Sequence, residues 1–404
     1  MDILWGIFGI FIIMLLAFLL SKNKKAINLR TIGGALGIQI LFGFIVLKWE
    51  TGRNIFSKVT AIVQSIIDSS NNGIQFLFGG MFGVEGMGFI FAFQVLTVII
   101  FFSSLISVLF YLGVMQLLTK IIGGFLSMIL GTSKPESMSA SANIFVGLTE
   151  APLVVKPYLA NMTKSELFAV MTGGAASVSG SVLVGYSLLG VPLEYLIAAA
   201  FMAAPAGLLI AKILVPETEQ QTVKQDITIE KDPDAVNIVD AAANGALVGL
   251  KMALNIGALL LAFISLIALV NLGLGSLSGL FGFESITLEQ ILGILFAPLA
   301  FVIGVPWDEA VRAGSYIGQK FVLNEFVAYS SFSADIGTFS AKTVAVISFA
   351  LCGFANLGAM AMMLGGIGGL APSRKDILAK FGFLAIIGGT LANLLSAAIA
   401  GMLI

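Results

Sequence analysis

Gly147-Leu148-Thr149-Glu150-Ala151-Pro152-Leu153 and Asn324-Glu325-Phe326-Val327-Ala328-Tyr329 each set an acid inside a region that is otherwise suited to lipid. The first lies within Ile121–Thr163, apolar yet dense in Gly, Ser, Pro and Asn. The second lies within Leu288–Ser340, where Pro298, Gly304, Pro306 and Asn324 interrupt apolar stretches. A carboxylate in hydrocarbon costs on the order of 3 kcal/mol or more on insertion scales. Glu150 and Glu325 are therefore expected to face an interior cavity. An interfacial Glu that reaches water is the alternative for either acid alone, but two acids at matching places weigh against it. Non-helical backbone at membrane depth is tolerated only where protein or a wet cavity satisfies it. Each region is thus expected to be a re-entrant hairpin, with free N–H and C=O groups at its tip.

The surroundings of the two acids repeat in kind. Glu150 precedes Lys164 and a span containing Ser177 and Gly180; Glu325 precedes Lys342 and a span containing Asn356 and Gly358. Laying Lys164 on Lys342 places Val178 on Asn356 and Gly180 on Gly358 without a gap. Paired, interrupted apolar segments in the two halves of a chain mark a transporter repeat, with binding at their interface. Two purely structural kinks are the bland alternative.

Farther out, the chain of 404 residues is 58% hydrophobic and only 11% charged, against roughly a quarter charged in soluble domains. Lipid must supply its cover, so the fold class is an all-α membrane protein. Apolar runs at Ile3–Leu20, Thr31–Leu47, Gly88–Leu118, Ser165–Tyr186, Leu193–Val215, Asn244–Leu272, Thr343–Leu364 and Phe381–Ile404 give about eight transmembrane helices plus the two hairpins. Between Trp49 and Gly80, Ile55, Val59, Ile62, Val63, Ile66 and Ile67 recur at helical spacing among polar residues, as in an interfacial helix. Basic loops at Lys22, Lys24, Lys25 and Arg30, and at Arg374, Lys375 and Lys380, place both termini outside by the positive-inside rule. The run Ile3–Leu20 reads as a first span rather than a cleaved signal.

Net charge of −1 leaves no basic patch for nucleic acid. Histidine is absent and Cys352 is the only cysteine. Ser-His-Asp catalysis, His-based zinc sites, His proton relays and internal disulfides are therefore excluded. A channel would line its pore with polar groups from several spans, whereas here they gather at two hairpins. An intramembrane enzyme would need Ser-Lys or paired-Asp chemistry, and no convincing pair lies within the spans.

Gly147–Leu153 together with Lys156-Pro157-Tyr158-Leu159 resembles the first-hairpin signature of the concentrative nucleoside transporters. Asn324–Tyr329 resembles the second-hairpin signature, and Cys352-Gly353-Phe354-Ala355-Asn356 the substrate-binding helix that follows. Gly304-Val305-Pro306-Trp307 is also similar, and the likeness runs from about Gly88 to the end.

The resemblance implies a bacterial inner-membrane homotrimer that imports nucleosides by an elevator-type motion of an inverted-repeat transport domain. Its parts would be N-terminal scaffold helices with the interfacial helix (1–120), a first repeat with hairpin 1 (121–215), an acidic linker (216–240), a scaffold helix (241–287), a second repeat with hairpin 2 (288–370) and a C-terminal helix (371–404). Thr149 and Glu150 would contact substrate from hairpin 1. Glu325 and Asn356 would hold ribose hydroxyls, which suits a carboxylate accepting charge-assisted bonds. Phe354 would lie against the nucleoside, Val182 would be a wall for the base, and Leu148 stands where the family usually has Gln. Ala359 stands where a Ser is common. Asn143, Val146, Ser177 and Val178 match the family's sodium positions, so Na+ is favoured over H+ as coupling ion, with no organic cofactor.

Overall fold

The computed structural model describes residues 2–82, 89–219, 235–280 and 285–404, and every regular element among them is helical. Most of the acidic linker, including Asp226, Glu230, Asp232 and Asp234, lies outside the described residues.

The N-terminal part holds α1 (Asp2–Leu19), α2 (Leu29–Gly43, continued by a π-helical turn, Phe44–Lys48), α3 (Glu50–Ser69) and α4 (Asn71–Phe82). Asn28 caps α2 by accepting from the Arg30 N–H at 2.9 Å. The amphipathic pattern after Trp49 is helical as expected. It forms two helices, with Ile55, Val59 and Ile62 exposed, Val63 and Ile66 half-buried and Ile67 buried.

The apolar run Gly88–Leu118 differs from the expectation of one span. After the short α5 (Phe91–Gln94), α6 (Leu96–Tyr111) ends at Gly113, whose φ of 81° only glycine adopts readily. The chain turns there into α7 (Val114–Leu130). The start of α7 lies near α13, the helix that leaves the linker, because the Tyr111 hydroxyl donates to the Val236 carbonyl at 3.4 Å. Its end meets the start of α2. There Thr31 Oγ1 donates to the Leu130 carbonyl at 2.8 Å, and the Arg30 guanidinium donates to the Met128 and Ile129 carbonyls. Arg30 thus neutralises a helix C-terminus. α7 therefore starts beside the beginning of α13 and finishes beside the beginning of α2. It buries Met115, Gly123, Leu126 and Leu130 and exposes Leu117, Ile121, Phe125 and Met128.

Hairpin 1 is correspondingly shorter than Ile121–Thr163. It rises as α8 (Lys134–Ala142), turns at residues 143–150, and returns through a 3-10 turn (Ala151–Val155) and α9 (Lys156–Leu159). A broken span follows, α10 (Lys164–Ala176) and α11 (Gly180–Leu188), then α12 (Leu193–Leu214). Thr163 opens α10 with a capping box closed by Glu166, and at the start of α8 the Ser133 N–H donates to Glu136 Oε1 at 2.7 Å.

The second half repeats this order. α13 (Ile238–Leu280) packs along α6 through Gly245 and Gly249, where a Cβ would meet Ser103, Ser104 or Ile100. Small residues let the two backbones approach this closely. α14 (Leu288–Val302) answers α7, and α15 (Trp307–Val322) with α16 (Glu325–Asp335) forms hairpin 2. The broken span α17 (Ala341–Leu351) and α18 (Ala359–Leu370) answers α10 and α11, and α19 (Lys375–Leu403) answers α12.

Among the described residues, seven segments are long and apolar enough to span a membrane, from Asp2–Leu19 to Pro372–Leu403. The pair α14–α15 is bent by 115° and folds back on itself, with Gly314 of α15 against Ala297 of α14. The eighth span is instead α17 with α18, by its place in the repeat.

The repeats are inverted. Lys164, at the start of α10, pairs with Glu219 at the linker (3.3 Å); Lys342, its counterpart in α17, pairs with Asp2 at the N-terminus (2.6 Å). The two termini share that second face, with Gly6 against Met402.

Candidate functional site

Each broken span opens at its midpoint. α10 stops at Ala176, Ser177 is extended (φ −113°, ψ 169°), and Ser179 caps α11 by accepting from the Val182 N–H at 3.4 Å. The tip of hairpin 1 docks here, the Gly180 N–H donating to the Phe145 carbonyl at 3.0 Å. Asn143 and Val146 flank Phe145, and Ser177 and Val178 precede Gly180. This bond sets the segment carrying Asn143 and Val146 beside the one carrying Ser177 and Val178, the four positions expected to hold a cation. The Asn143 side chain is 2% exposed, and among the described residues neither its oxygen nor its nitrogen has a hydrogen-bond partner. Ser177 Oγ makes only a long 3.4 Å bond to the Gly174 carbonyl. Among the described residues, no backbone N–H donates to the carbonyls of Val146 or Val178. A buried amide left unpaired costs on the order of 1–3 kcal/mol. Neutral hard oxygens of this kind suit a small monovalent cation, so the donor set fits Na+.

At the second break, Asn356 works in two directions. Its Oδ1 accepts from the Ala359 N–H at 2.9 Å and caps α18, while its Nδ2 donates to Glu325 Oε2 at 2.9 Å. The Tyr186 hydroxyl of α11 donates to Glu325 Oε1 at 3.2 Å. Glu325 opens α16 behind the cap Asn324, whose side chain accepts from the Val327 N–H at 2.8 Å. Its carboxylate is 5% exposed and is held by one partner from each half of the chain. A carboxylate has about four lone-pair sites, and these bonds occupy two, leaving acceptor capacity for ligand hydroxyls.

Glu150 is half-buried and accepts from the Gly147 N–H at 3.0 Å through Oε2. A Cβ on Gly147 would lie 3.7 Å from both this oxygen and the Phe354 ring, and 3.5 Å from Ser179 Cβ. Glu150, Phe354 and the first turn of α11, which carries the buried Val182, therefore share one spot. Thr149 is exposed, with its methyl against Gly366 of α18. Leu148 is buried and packs over Gly174 of α10.

The two breaks touch one another. The Phe354 N–H donates to the Ser177 carbonyl at 3.1 Å. Beside this contact the Asn393 Nδ2 of α19 donates to the Ala176 carbonyl (2.6 Å) and the Cys352 carbonyl (2.9 Å). Its Oδ1 accepts from Lys320 Nζ at 2.7 Å, and Lys320 also donates to the Ala350 carbonyl at 2.8 Å. Both side chains are 2% exposed. Tyr186, Lys320 and Asn393 were not singled out from the sequence. The available signals were a lysine in the last turn of amphipathic α15, just before Asn324-Glu325, and a lone amide inside apolar α19.

Known proteins resemble this chain along its whole length. Residues 195–401 match the family described as "Na+ dependent nucleoside transporter C-terminus". Residues 8–81 match its N-terminal counterpart, and residues 92–192 match "Gate: Nucleoside recognition". The chain is 58% identical to an uncharacterized transporter of Bacillus subtilis, covering all of both chains. It is 49% identical to a nucleoside permease of Helicobacter pylori, over 99% of this chain and 98% of the other. Inward-facing, substrate-bound CNTnw superimposes with a TM-score of 0.95 at 53% identity, over 100% and 98% of the two chains. An outward-facing variant of CNTnw superimposes with a TM-score of 0.97 at 52% identity, over 100% and 99%. Two hairpins meeting two broken spans are thus the frame of a nucleoside carrier rather than an enzyme, and the chain belongs to the Na+-dependent nucleoside transporter family.

Proposed function

We propose that this protein is a symporter that imports nucleosides, coupled to the sodium gradient. The observation that carries the reading is the pair of sites at the two breaks. Glu325 is buried with acceptor capacity to spare at one, and the Asn143 amide is buried without a partner at the other. In this reading the ribose hydroxyls donate to Glu325 and sit beside Asn356. The base lies along Phe354 and Val182, with Glu150 and Thr149 at its edge. Leu148 supports the hairpin-1 tip from behind. Na+ takes the side-chain oxygens of Asn143 and Ser177 and the carbonyls of Val146 and Val178.

Movement follows the same reading. The two repeats, residues 121–215 and 288–370, together with α19 as the counterpart of α12, form a transport domain that carries both sites across. The N-terminal helices and α13 stay with neighbouring copies in a homotrimer in the bacterial inner membrane, termini outside. Support comes from CNTnw, which has been captured in inward-facing, intermediate and outward-facing states. Uptake of labelled uridine and adenosine into liposomes, with and without an inward sodium gradient, tests the proposal. Sodium-dependent accumulation above the outside concentration is expected. Equilibration without concentration would indicate a channel, and accumulation driven by a proton gradient alone would replace sodium with H+.

A further inference from the structure

α10 and α17 end facing one another at the crossing of the two broken spans. Their last carbonyls, Ala176 from one and Ala350 and Cys352 from the other, converge on the Asn393 amide and the Lys320 ammonium. A helix C-terminus carries about half a negative charge. Two such ends pointed at one buried spot repel one another, and one ammonium is of the size and sign needed to offset them. Gly353 completes the fit, because a Cβ there would lie 2.8 Å from the Ala176 carbonyl and would collide with Asn393 Oδ1.

The same amide touches both sites without belonging to either. Ala176 directly precedes Ser177 and Val178, the expected cation donors. Cys352 precedes the segment that carries Phe354 and Asn356. The bond from the Phe354 N–H to the Ser177 carbonyl runs in parallel. Lys320 stands on hairpin 2, five residues before Glu325. A shift of the 176–178 carbonyls toward a cation thus pulls on Asn393, and through it on Cys352 and on hairpin 2.

We propose that Asn393, held by Lys320, is a positioning residue that carries the coupling between sodium and nucleoside binding. The proposal rests on the sodium reading given above. Couplings between sites are typically worth about 5–150-fold in affinity and are reciprocal. Asn393→Asp keeps an oxygen for Lys320, converting that hydrogen bond into an ion pair, but turns the second oxygen toward the Ala176 and Cys352 carbonyls and so breaks the bridge. Lys320→Gln keeps a donor and removes the charge.

The experiment is calorimetric titration of the full-length, detergent-solubilised protein with uridine and with adenosine, in sodium chloride and in choline chloride. In the wild type, sodium should tighten nucleoside binding on the order of tenfold. In Asn393→Asp, binding in choline should stay within about threefold of wild type while the sodium enhancement drops below about threefold. Sodium titrations followed by thermal stability should lose the reciprocal effect of nucleoside. If Asn393→Asp weakens binding equally in both salts, the residue is structural and the proposal is overturned. If Asn393→Asp does not yield folded protein, Lys320→Gln is read by the same ratio, and an unchanged ratio overturns the proposal. A wild type indifferent to sodium removes the sodium reading itself, and the coupling role with it.

Discussion

Glu325 of hairpin 2 and Tyr186 of α11 are bonded across the two halves of the chain, the phenol hydroxyl donating to Oε1 at 3.2 Å. The Tyr186 ring lies against Tyr329 and Phe326 of the same hairpin, with centroids 4.2 and 4.9 Å away. The acid is thus oriented by one repeat while riding on the other, and its position depends on both being assembled.

Replacing that acid tests its charge. A bond to a charged group is worth about 1.5–3 kcal/mol, against about 0.5–1.5 for a neutral pair. Losing the difference at two ribose hydroxyls should make Glu325→Gln bind nucleoside on the order of 10- to 100-fold more weakly, with the fold retained. Calorimetry giving wild-type affinity would remove Glu325 from the substrate site.

Among the described residues, the Asn143 side chain has no hydrogen-bond partner. Asn143→Ser shortens the reach toward a cation, so half-saturation by sodium should rise by about tenfold or more. Nucleoside affinity at saturating sodium should change less. Uptake with an unaltered sodium curve would move the ion site elsewhere.

Leu148 fills apolar space over Gly174. A Gln amide left there would cost about 1–3 kcal/mol, which favours its turning toward the base. Leu148→Gln should therefore shift the competition profile across purine and pyrimidine nucleosides. An identical profile with a lowered melting temperature would make the position purely structural.

Gly353→Ala forces a methyl between Asn393 and the Ala176 carbonyl, both buried and fixed. Overpacking of this kind typically costs about 1–3 kcal/mol, and a lower melting temperature in detergent is the expected reading. Wild-type stability would show that the crossing relaxes freely.

Asp2 and Glu219 lie at opposite faces and are well exposed, at 59% and 43% for their side chains. Since Cys352 is buried, Asp2→Cys and Glu219→Cys each provide one accessible thiol. An impermeant maleimide on intact cells should label the first and spare the second. The reverse pattern would invert the orientation inferred from the basic loops.

Much of this architecture was readable from residue order. The long apolar runs gave the spans, and the breakers around Glu150 and Glu325 gave the hairpins. The gap-free alignment of Lys164 on Lys342 came within one residue of the starts of α10 and α17. What escaped was geometry that composition does not encode. Gly88–Leu118 is largely apolar, so nothing but Gly113 announced the turn into α7, and the Arg30 guanidinium that meets the last carbonyls of α7 comes from far along the chain. The crossing was hidden for a related reason. Lys320 and Asn393 are unremarked in the sequence, Gly353 stands there only as a member of the Cys352–Asn356 motif, and only the meeting of two helix ends makes them a unit.

The length of α13 has a further consequence. From Met252 to Leu280 it carries no charged residue, a stretch of about 43 Å at 1.5 Å per residue. Hydrocarbon is about 30 Å thick. Matching the two by leaning alone would take about 45°, well beyond the average of about 20° for spanning helices. A greasy surface this tall, exposed at Leu254, Leu261, Leu269, Leu272 and Leu280, is mismatched to any ordinary bilayer on its own. Neighbouring copies pressed against it would relieve that mismatch without bending the membrane.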